Sequence, residues 1–363
     1  MQLKIYPSFP DELIDEILSE KSNYIIEPFL DPIWVNNWWK NIGKNEYNEI
    51  KYLNFINDEN YKLIVPLVTR EIFGLKIIEI AGGKVSDYLS PIFHKKLKLS
   101  RMDLIFIKEE IFKNFKNIDL IFFRKQKQYE STQNPILLLD KPIMGLHKSY
   151  SIKFDSFIQN KKIKKIYNDN KRQLKRLNTM GEVSFVEAKD DNQKISILEN
   201  MIFQKEDRYK KTNVWNMFGI SYYKNFYYDL IRSNFNFLKI HISAVKVGNN
   251  FISTHLGFFD NETYYYLMPS FDNVNYKSYS GGNILLENLI KFAESKNINV
   301  FDFTIGNESY KQKWTNETNE LFDVVLSNSI YGKFSKLLIQ LIFFLKRIKL
   351  IDKIYKKIYK FIH

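Results

Sequence analysis

The chain has 363 residues, of which 45% are hydrophobic and 16% aromatic, so it can bury two ordinary domain cores and is too apolar to be disordered. It contains no cysteine, which excludes disulfides, thiolate nucleophiles and cysteine metal sites. Its five histidines lack metal-ligand spacing, and we expect no metal. The N-terminal segment lacks the regions of a signal peptide, so the expected localisation is cytoplasmic.

The net charge of +13 is concentrated in two segments. Residues 161–176 contain eight basic residues and one acidic residue, and residues 331–363 contain nine basic residues and one acidic residue. The rest of the chain is therefore close to neutral. Two basic helices on a near-neutral body are a weak signature for nucleic acid, and we do not expect nucleic acid to be a general partner.

In the first half, residues 1–150, a helix is predicted in EPFLDPIWVNNWW, because aspartate caps a helix start and proline suits the first helical position. Strands are predicted in KYLNFIN, YKLIVPLVTRE and LKIIEIAGG. Asp87 and Tyr88 follow in the segment SDYLSPIF. A helix around residues 105–116 and a strand in NIDLIFFRK complete this half.

The second half, residues 151–330, opens with the basic segment, in which apolar residues recur at helical spacing. A strand in GEVSFVEA and two further helices precede three strands, FLKIHISAVKV, NNFISTHLGFF and ETYYYLMPSF, whose short polar connections predict a meander of hairpins. The helix in YSGGNILLENLIKFAESK and the strand in NVFDFTIG then complete a strand–helix–strand unit. Both halves predict an α/β fold with mixed sheets.

The segment SYSGGN, residues 278–283, joins a strand region to a helix. Its two adjacent glycines allow a ligand to approach the backbone, and free amides at a helix start bind anions. The alternative is an ordinary helix entry capped by Ser280. The local sequence does not decide between the two.

Two strand residues are candidates for proton transfer. His255 shares a strand face with Ser253 and Gly257, which leaves space beside a side chain that exchanges protons near neutral pH. Asp302 stands inside an apolar strand, so its carboxylate requires a partner: Lys311, His255 or a backbone donor. A structural hydrogen-bonding role is the alternative for each.

The stretch YSGGNILLENLIKFAESKNINVFDFTIGNESYKQKW resembles the signature of the tandem acetyltransferases associated with cellulose biosynthesis, which belong to the GNAT superfamily. The similarity extends over about residues 25–315 and includes FLDPIWVNNWW, GGKVSDY, HLGFF and YYYLMPSFD. Two features depart from the pattern: Gly281 replaces the usual proline, and the glycine loop of simpler GNAT enzymes is absent as such.

The resemblance implies two tandem GNAT-like domains, 1–150 and 151–330. The residue pattern adds a basic amphipathic helical tail, 331–363. The resemblance also implies an acyl-CoA co-substrate, either acetyl-CoA or another acyl-CoA, and a set of site residues. The donor is expected at Ser280, Gly281, Gly282 and Asn283. Base and orienter are expected at His255 and Asp302, the acid at Tyr310, and substrate binding or charge stabilisation at Lys311. Substrate binding is expected at Asp87, Tyr88, Arg172 and Arg208.

The function expected on this basis is acyl-CoA-dependent N-acylation of an amino sugar or another precursor of a cell-envelope polysaccharide, free or lipid-linked. One alternative is aminoacyl transfer from tRNA to a peptidoglycan precursor, as in the related Fem-type enzymes. We favour coenzyme A because those enzymes usually insert a long helical arm, for which residues 190–235 have no room. A catalytically inactive scaffold for membrane or polysaccharide is the third possibility.

The tail carries apolar residues at helical spacing with lysines on the remaining surface. Its longest apolar run, residues 337–345, is far shorter than the ~20 residues that span a bilayer. The pattern is typical of a helix that lies in an anionic membrane interface at the inner face of the cytoplasmic membrane. A helix packed on the body with a solvated lysine face is the alternative.

Overall fold

The computed structural model describes residues 1–156, 161–306 and 308–347. They divide into two compact units. Unit one comprises Met1–Trp39, Gly43–Lys148 and the segment from Asn319 onward, and unit two comprises Lys40–Ile42 and Ser149–Thr318. About half of the tail, residues 348–363, lies outside the described residues.

Unit one is built on a mixed sheet with the strand order β1-β3-β4-β5-β7-β14, and β2 and β6 pair beside β4. Its strands are β1 Gln2–Tyr6, β2 Tyr24–Ile25, β3 Glu49–Ile56, β4 Lys62–Ile72, β5 Leu75–Ile80, β6 Ile92–His94, β7 Leu120–Gln126 and β14 Glu317–Ser327. Its helices are α1 Asp11–Ser19, α2 Pro32–Trp38, α3 Lys44–Glu46, α4 Arg101–Asn114 and α10 Ile330–Arg347.

Unit two has the strand order β8-β13-β12-β11-β10-β9. Its strands are β8 Ile143–Lys153, which enters the unit at Ser149, β9 Val183–Glu187, β10 Lys239–Val247, β11 Asn250–Phe259, β12 Thr263–Phe271 and β13 Val300–Ile305. Its helices are α5 Lys161–Asn178, α6 Asp191–Thr212, α7 Ser221–Arg232, α8 Gly281–Ser295 and α9 Lys311–Trp314.

The predicted mixed α/β fold is confirmed, and its local signals act as expected. Asp31 caps α2 by accepting a hydrogen bond from the amide of Ile33 at 2.9 Å, and Pro32 is the first helical residue. The three strands β10, β11 and β12 form the predicted antiparallel meander. The segment β12–α8–β13 is the predicted strand–helix–strand unit, since β12 and β13 are parallel.

Helices cover both faces of the sheet in unit two. The apolar face of α8 packs with α5 against one side, where Leu285, Leu289 and Phe301 are fully buried. On the other side, α6 contacts β11 and β12, and its Gln204 accepts a hydrogen bond from Ser270 at 2.7 Å. The sheet is therefore closed to solvent along most of its length, and a ligand has access mainly at its ends.

Among the helices formed by the described residues, none combines the length and apolar character required to cross a bilayer.

Candidate active site

The site begins where two parallel strands separate. The register of β12 and β13 pairs Thr263 with Val300 and Tyr265 with Asp302, and then ends. From there β12 runs on to Phe271, and β13 turns away. In α/β sheets, such a gap at the carboxyl ends of parallel strands is where ligands bind. Because α8 connects the two strands, its N-terminus lies at the same edge.

A cavity of about 380 Å³ occupies this gap. Four parts of unit two line it: the end of β12, the start of α8, the turn after β13, and one face of α6. Its walls include Tyr266, Pro269, Ser270, Lys205, Arg208, Lys277, Ser280, Gly281, Gly282, Asn283, Ile305, Glu308, Tyr310 and Lys311. The structure thus brings together the four residues predicted to hold the donor, the predicted acid and the predicted stabilising lysine.

The start of α8 presents amides to the cavity. Ser280 adopts a left-handed conformation with a φ of 56° and does not cap the helix with its side chain. Its carbonyl accepts from the amides of Asn283 and Ile284, which leaves the first two amides, of Gly281 and Gly282, for a ligand. A Cβ at Gly282 would meet only Phe271, at 3.6 Å, so this glycine borders open space. The Ser280 cap considered from the sequence is not formed.

The cavity carries an excess of positive charge. Lys205, Arg208 and Lys277 line it, and no ion pair is formed by any of the three among the described residues. Burial, and then the nearby charge of Arg208, lower the pKa of Lys205 to about 8, although Glu308 acts in the opposite direction. An anionic ligand would relieve this repulsion, so the cavity favours phosphate or carboxylate groups.

The turn after β13 is held by a buried lysine. Lys311 is 4% exposed, and its Nζ donates to the carbonyl of Ile305 at 2.7 Å and pairs with Glu308 at 3.2 Å. Gly306, with a φ of 143°, makes this approach possible, because a Cβ there would collide with the Glu308 carboxylate. Lys311 therefore shapes the cavity wall, and its charge is already compensated.

Tyr310 stands beside this turn with its hydroxyl bonded to that of Tyr266, and both rings line the cavity. Burial, and then the charge of Glu308, raise the pKa of Tyr310 well above its ordinary value. The phenol consequently keeps its proton throughout the neutral range. A protonated hydroxyl at the cavity wall can donate to a developing negative charge.

Asp302 is bound by a backbone donor, one of the three partners expected from the sequence. Its Oδ1 accepts from the amide of Thr304 at 2.7 Å. Thr304 is buried and has a φ of 57°, and the register with β8 shifts between Asp302 and Ile305. The carboxylate thus stabilises the irregular end of β13, from which the cavity-lining turn begins.

His255 is enclosed in an aromatic layer and does not line the cavity. Its ring stacks on Tyr266 at a centroid distance of 4.8 Å, and its Nδ1 lies 3.3 Å from the Tyr264 hydroxyl. Burial, and then the neighbouring His241, lower the pKa of His255 well below its ordinary value, so the imidazole is neutral. The space that Gly257 leaves is filled by the His255 ring itself, since a Cβ at Gly257 would lie 2.5 Å from Cε1.

The expected pairing of His255 with Asp302 in one cavity is wrong. Phe301 and Phe303 contact each other and both contact Tyr266, the residue on which His255 stacks. Asp302 lies between the two phenylalanines in β13 and so points to the opposite face of the sheet. Strand alternation could have excluded the pair, but only with the register of β11 against β13, which the sequence does not reveal.

The expected substrate residues are dispersed. Arg208 lines the cavity. Arg172 is on the exposed surface of α5 and pairs with Asp169 at 3.2 Å. In unit one, Tyr88 is fully buried against Phe29, and neither it nor Asp87 lines the cavity of unit two. Their substrate roles stay predictions.

Lys205 is the residue that sequence reasoning missed. It lies three positions before Arg208 on α6, a spacing that places both side chains on one helix face. Once Arg208 is assigned to the site, this spacing identifies Lys205. Among the described residues, no cluster of three or more histidine, aspartate and glutamate side chains is arranged to hold a metal ion, and the expected absence of a metal stays a prediction.

Comparison with known proteins finds a matching family model and several similar folds. Residues 164–312 match the acetyltransferase (GNAT) domain. The fold is similar to the crystal structure of FemX, with a TM-score of 0.58 and 12% identity over 94% of this chain and 100% of that one. It is also similar to a conserved protein of unknown function from Bacteroides thetaiotaomicron VPI-5482, with a TM-score of 0.56 and 10% identity over 90% and 100% of the two chains.

A third structure, L-PGS from Bacillus licheniformis, has a TM-score of 0.52 and 9% identity, with 92% of this chain and 96% of that one covered. At these identities the similarity shows the fold alone. The comparison with curated proteins finds no match. Every residue that lines the cavity lies between 205 and 311. The segment that matches the acetyltransferase (GNAT) domain, residues 164–312, therefore contains the whole candidate site.

Proposed function

We propose that the chain is an acyl-CoA-dependent N-acyltransferase whose acceptor is the amine of an amino sugar or another precursor of a cell-envelope polysaccharide. The observation that carries the acyl transfer is the convergence of three features in one cavity at diverging strands. They are a glycine-rich helix start, cations that form no ion pair among the described residues, and a protonated tyrosine. The acceptor class comes from the resemblance to the acetyltransferases associated with cellulose biosynthesis.

The residues present fit coenzyme A. The pyrophosphate would lie at the amides of Gly281 and Gly282, where the helix dipole favours an anion and Gly282 borders open space. Lys277 and Arg208 line the same cavity and can neutralise phosphate charge. When bound, acyl-CoA supplies a thioester carbonyl; attack by the acceptor amine forms the C–N bond, breaks the C–S bond and releases a thiolate.

Residues of the chain then accept one proton and donate another. The attacking amine loses a proton, and Lys205, whose pKa is about 8, can accept it in its neutral form. The thiolate gains a proton, and Tyr310 holds one in the neutral range. Lys311 and Asp302 act by positioning the turn that carries Tyr310. Lys205 thus takes the role that the sequence suggested for His255.

Aminoacyl transfer from tRNA is the competing function. The similarity to FemX extends over all of that chain, so the lack of an inserted helical arm does not separate the two proteins. In this region the α-helices are α6 and α7, of 22 and 12 residues. The cavity itself favours an anionic ligand, which fits either donor. A binding experiment is therefore needed.

The test is titration of the intact protein with acetyl-CoA, followed by mass spectrometry of mixtures that contain amino-sugar nucleotides. We expect saturable binding and a product heavier by one acetyl group. Gly282→Val should weaken coenzyme A binding by about tenfold or more at unchanged folding, because its side chain would occupy open cavity space. Phe203→Ala, an exposed change outside the cavity, is the matched control.

Three results would contradict the proposal. Binding of aminoacyl-tRNA without binding of acetyl-CoA would support the Fem-type function. Binding of neither donor would support the inactive scaffold. Unchanged coenzyme A affinity in folded Gly282→Val would show that the helix start does not hold the pyrophosphate.

A further inference from the structure

Helix α10 packs on unit one through a single face. Ile339 joins the cluster of Ile77, Leu120 and Val325, and the ring of Phe343 lies 6.5 Å from that of Phe122. Gly332 permits close docking, because a Cβ there would collide with the carbonyl of Asp119. This packing fixes the rotation of α10 about its axis, so the opposite face of the helix always points away from unit one.

The opposite face of α10 is an exposed apolar stripe. Phe334, Leu337, Leu341 and Phe344 recur at intervals of three or four residues and are 69%, 65%, 51% and 62% exposed. Leu338 and Ile330 extend the same side. With 18 residues the helix is about 27 Å long, so the stripe is long as well as apolar. Contiguous exposed apolar surface of this kind marks an interaction site.

Charge limits what can cover this stripe. The helix contains four basic residues and no acidic one, and the sequence from 348 to 363 adds five basic residues and one acidic residue. Lys336 pairs with Asp140 of unit one at 2.6 Å. A second copy of this helix, or the following segment folded over it, would bring cations against cations. An anionic surface would offset them.

We propose that the stripe on α10 is the face by which this protein binds the surface of a membrane that contains anionic phospholipids. The helix would lie parallel to the bilayer, with the stripe in the interface and the basic residues among lipid headgroups. The sequence left a helix packed on the body as the alternative to a membrane-bound helix. The two are compatible, because one face of α10 packs on unit one and the opposite face is available to bind the membrane. The proposal is independent of the acyl acceptor.

The experiment is flotation of the full-length protein with vesicles of phosphatidylcholine mixed with phosphatidylglycerol, and with vesicles of phosphatidylcholine alone. We expect flotation with the mixed vesicles at low salt and a loss of it as salt rises. The variant with Leu337→Gln and Leu341→Gln should show about tenfold or more weaker partitioning, because two apolar anchors are removed.

Both leucines are exposed, so this double variant should fold normally, as circular dichroism can verify. Phe73→Gln, which changes an exposed phenylalanine elsewhere on unit one, is the matched control and should float like the unaltered protein.

Each result that contradicts the membrane proposal identifies a different error in it. No flotation at low salt, or equal flotation of the double variant, would overturn the proposal. Equal binding to pure phosphatidylcholine would show that anionic lipid is not what the face recognises. A dimer that the double variant converts to a monomer, without vesicle binding, would show that a second copy covers the stripe.

Discussion

Asp302 accepts a hydrogen bond at 2.7 Å from the amide of Thr304, a residue whose φ is 57°. This contact stabilises a left-handed residue at the end of β13, just before the turn that carries Tyr310 and Lys311. A non-glycine residue in that region is costly and persists where its surroundings hold it. Asp302 therefore acts as a positioning residue for the cavity wall.

We predict that Asp302→Ala lowers the free energy of unfolding by about 1–3 kcal/mol, because a buried amide loses its acceptor. Asp302→Asn keeps an oxygen for the Thr304 amide and should cost less than about 1 kcal/mol. Denaturant unfolding measures both values, and acyl transfer should follow the same order. A fully folded Asp302→Asn variant without activity would instead assign the charge a direct catalytic role.

His255→Phe separates a structural role from a catalytic one. Phenylalanine preserves the stacking on Tyr266 and removes Nε2, a buried nitrogen without a hydrogen-bond partner among the described residues. We expect turnover to stay within about threefold, whereas loss of a general base costs about 10²–10⁴. Steady-state kinetics on the purified variant give the answer. A loss of the larger size at unchanged stability would restore His255 as the base.

His255 and Asp302 illustrate which features can be predicted from the sequence and which cannot. Local signals sufficed for the helix at Pro32, the meander and the unit from β12 to β13, because caps, turns and periodicity act over a few residues. The helix start at residues 280–283 followed for the same reason. The pairing of His255 with Asp302 failed because the sheet face on which each side chain lies depends on the registers of β11, β12 and β13, which join distant parts of the chain.

Non-local pairing also explains the strands that the sequence did not predict. Strand β14 pairs with β7, so that Val325 lies opposite Phe122, about two hundred positions earlier in the chain. The sequence around residue 320 contains no local signal that identifies β7 as the partner strand of β14. Lys205 was missed for a related reason: its lowered pKa depends on burial and on Arg208, both properties of the folded cavity.

Lys205 should be costly for stability and necessary for turnover. Its pKa falls from 10.5 unfolded to about 8 folded, so the charged form is disfavoured in the folded state. This cost is complete below about pH 8 and disappears as the pH rises towards 10.5. Lys205→Met should therefore raise the free energy of unfolding at neutral pH by at most about 3 kcal/mol, less after solvent screening, and by little above pH 10.

The activity of two Lys205 variants tests its role as proton acceptor. Arginine at this position keeps the charge that attracts phosphate but stays protonated. Lys205→Arg should therefore preserve coenzyme A affinity, lower turnover by about 10² or more, and remove the rise of turnover with pH near 8. Binding titrations and a pH–rate profile provide both readouts. If Lys205→Arg turns over normally, Lys205 serves only to attract anions.

Tyr310→Phe tests the protonation of the leaving thiolate. The change removes one hydroxyl from the cavity wall and leaves the ring, so folding and coenzyme A binding should be unchanged. The lost donor should lower turnover by about 10² or more with a thiol leaving group of high pKa. Since the pKa of Tyr310 is raised, the hydroxyl is protonated in the whole neutral range, and the deficit should not vary with pH there.

A series of thioesters gives the sharper test of this role. If Tyr310 donates to the departing sulfur, the deficit of Tyr310→Phe should shrink as the leaving thiol becomes more acidic, because a stable thiolate needs no proton. Tyr266→Phe, which removes the hydroxyl that bonds to Tyr310, is the matched control and should show a smaller deficit without this trend. An equal deficit with every leaving group would mean that Tyr310 shapes the cavity and takes no part in proton transfer.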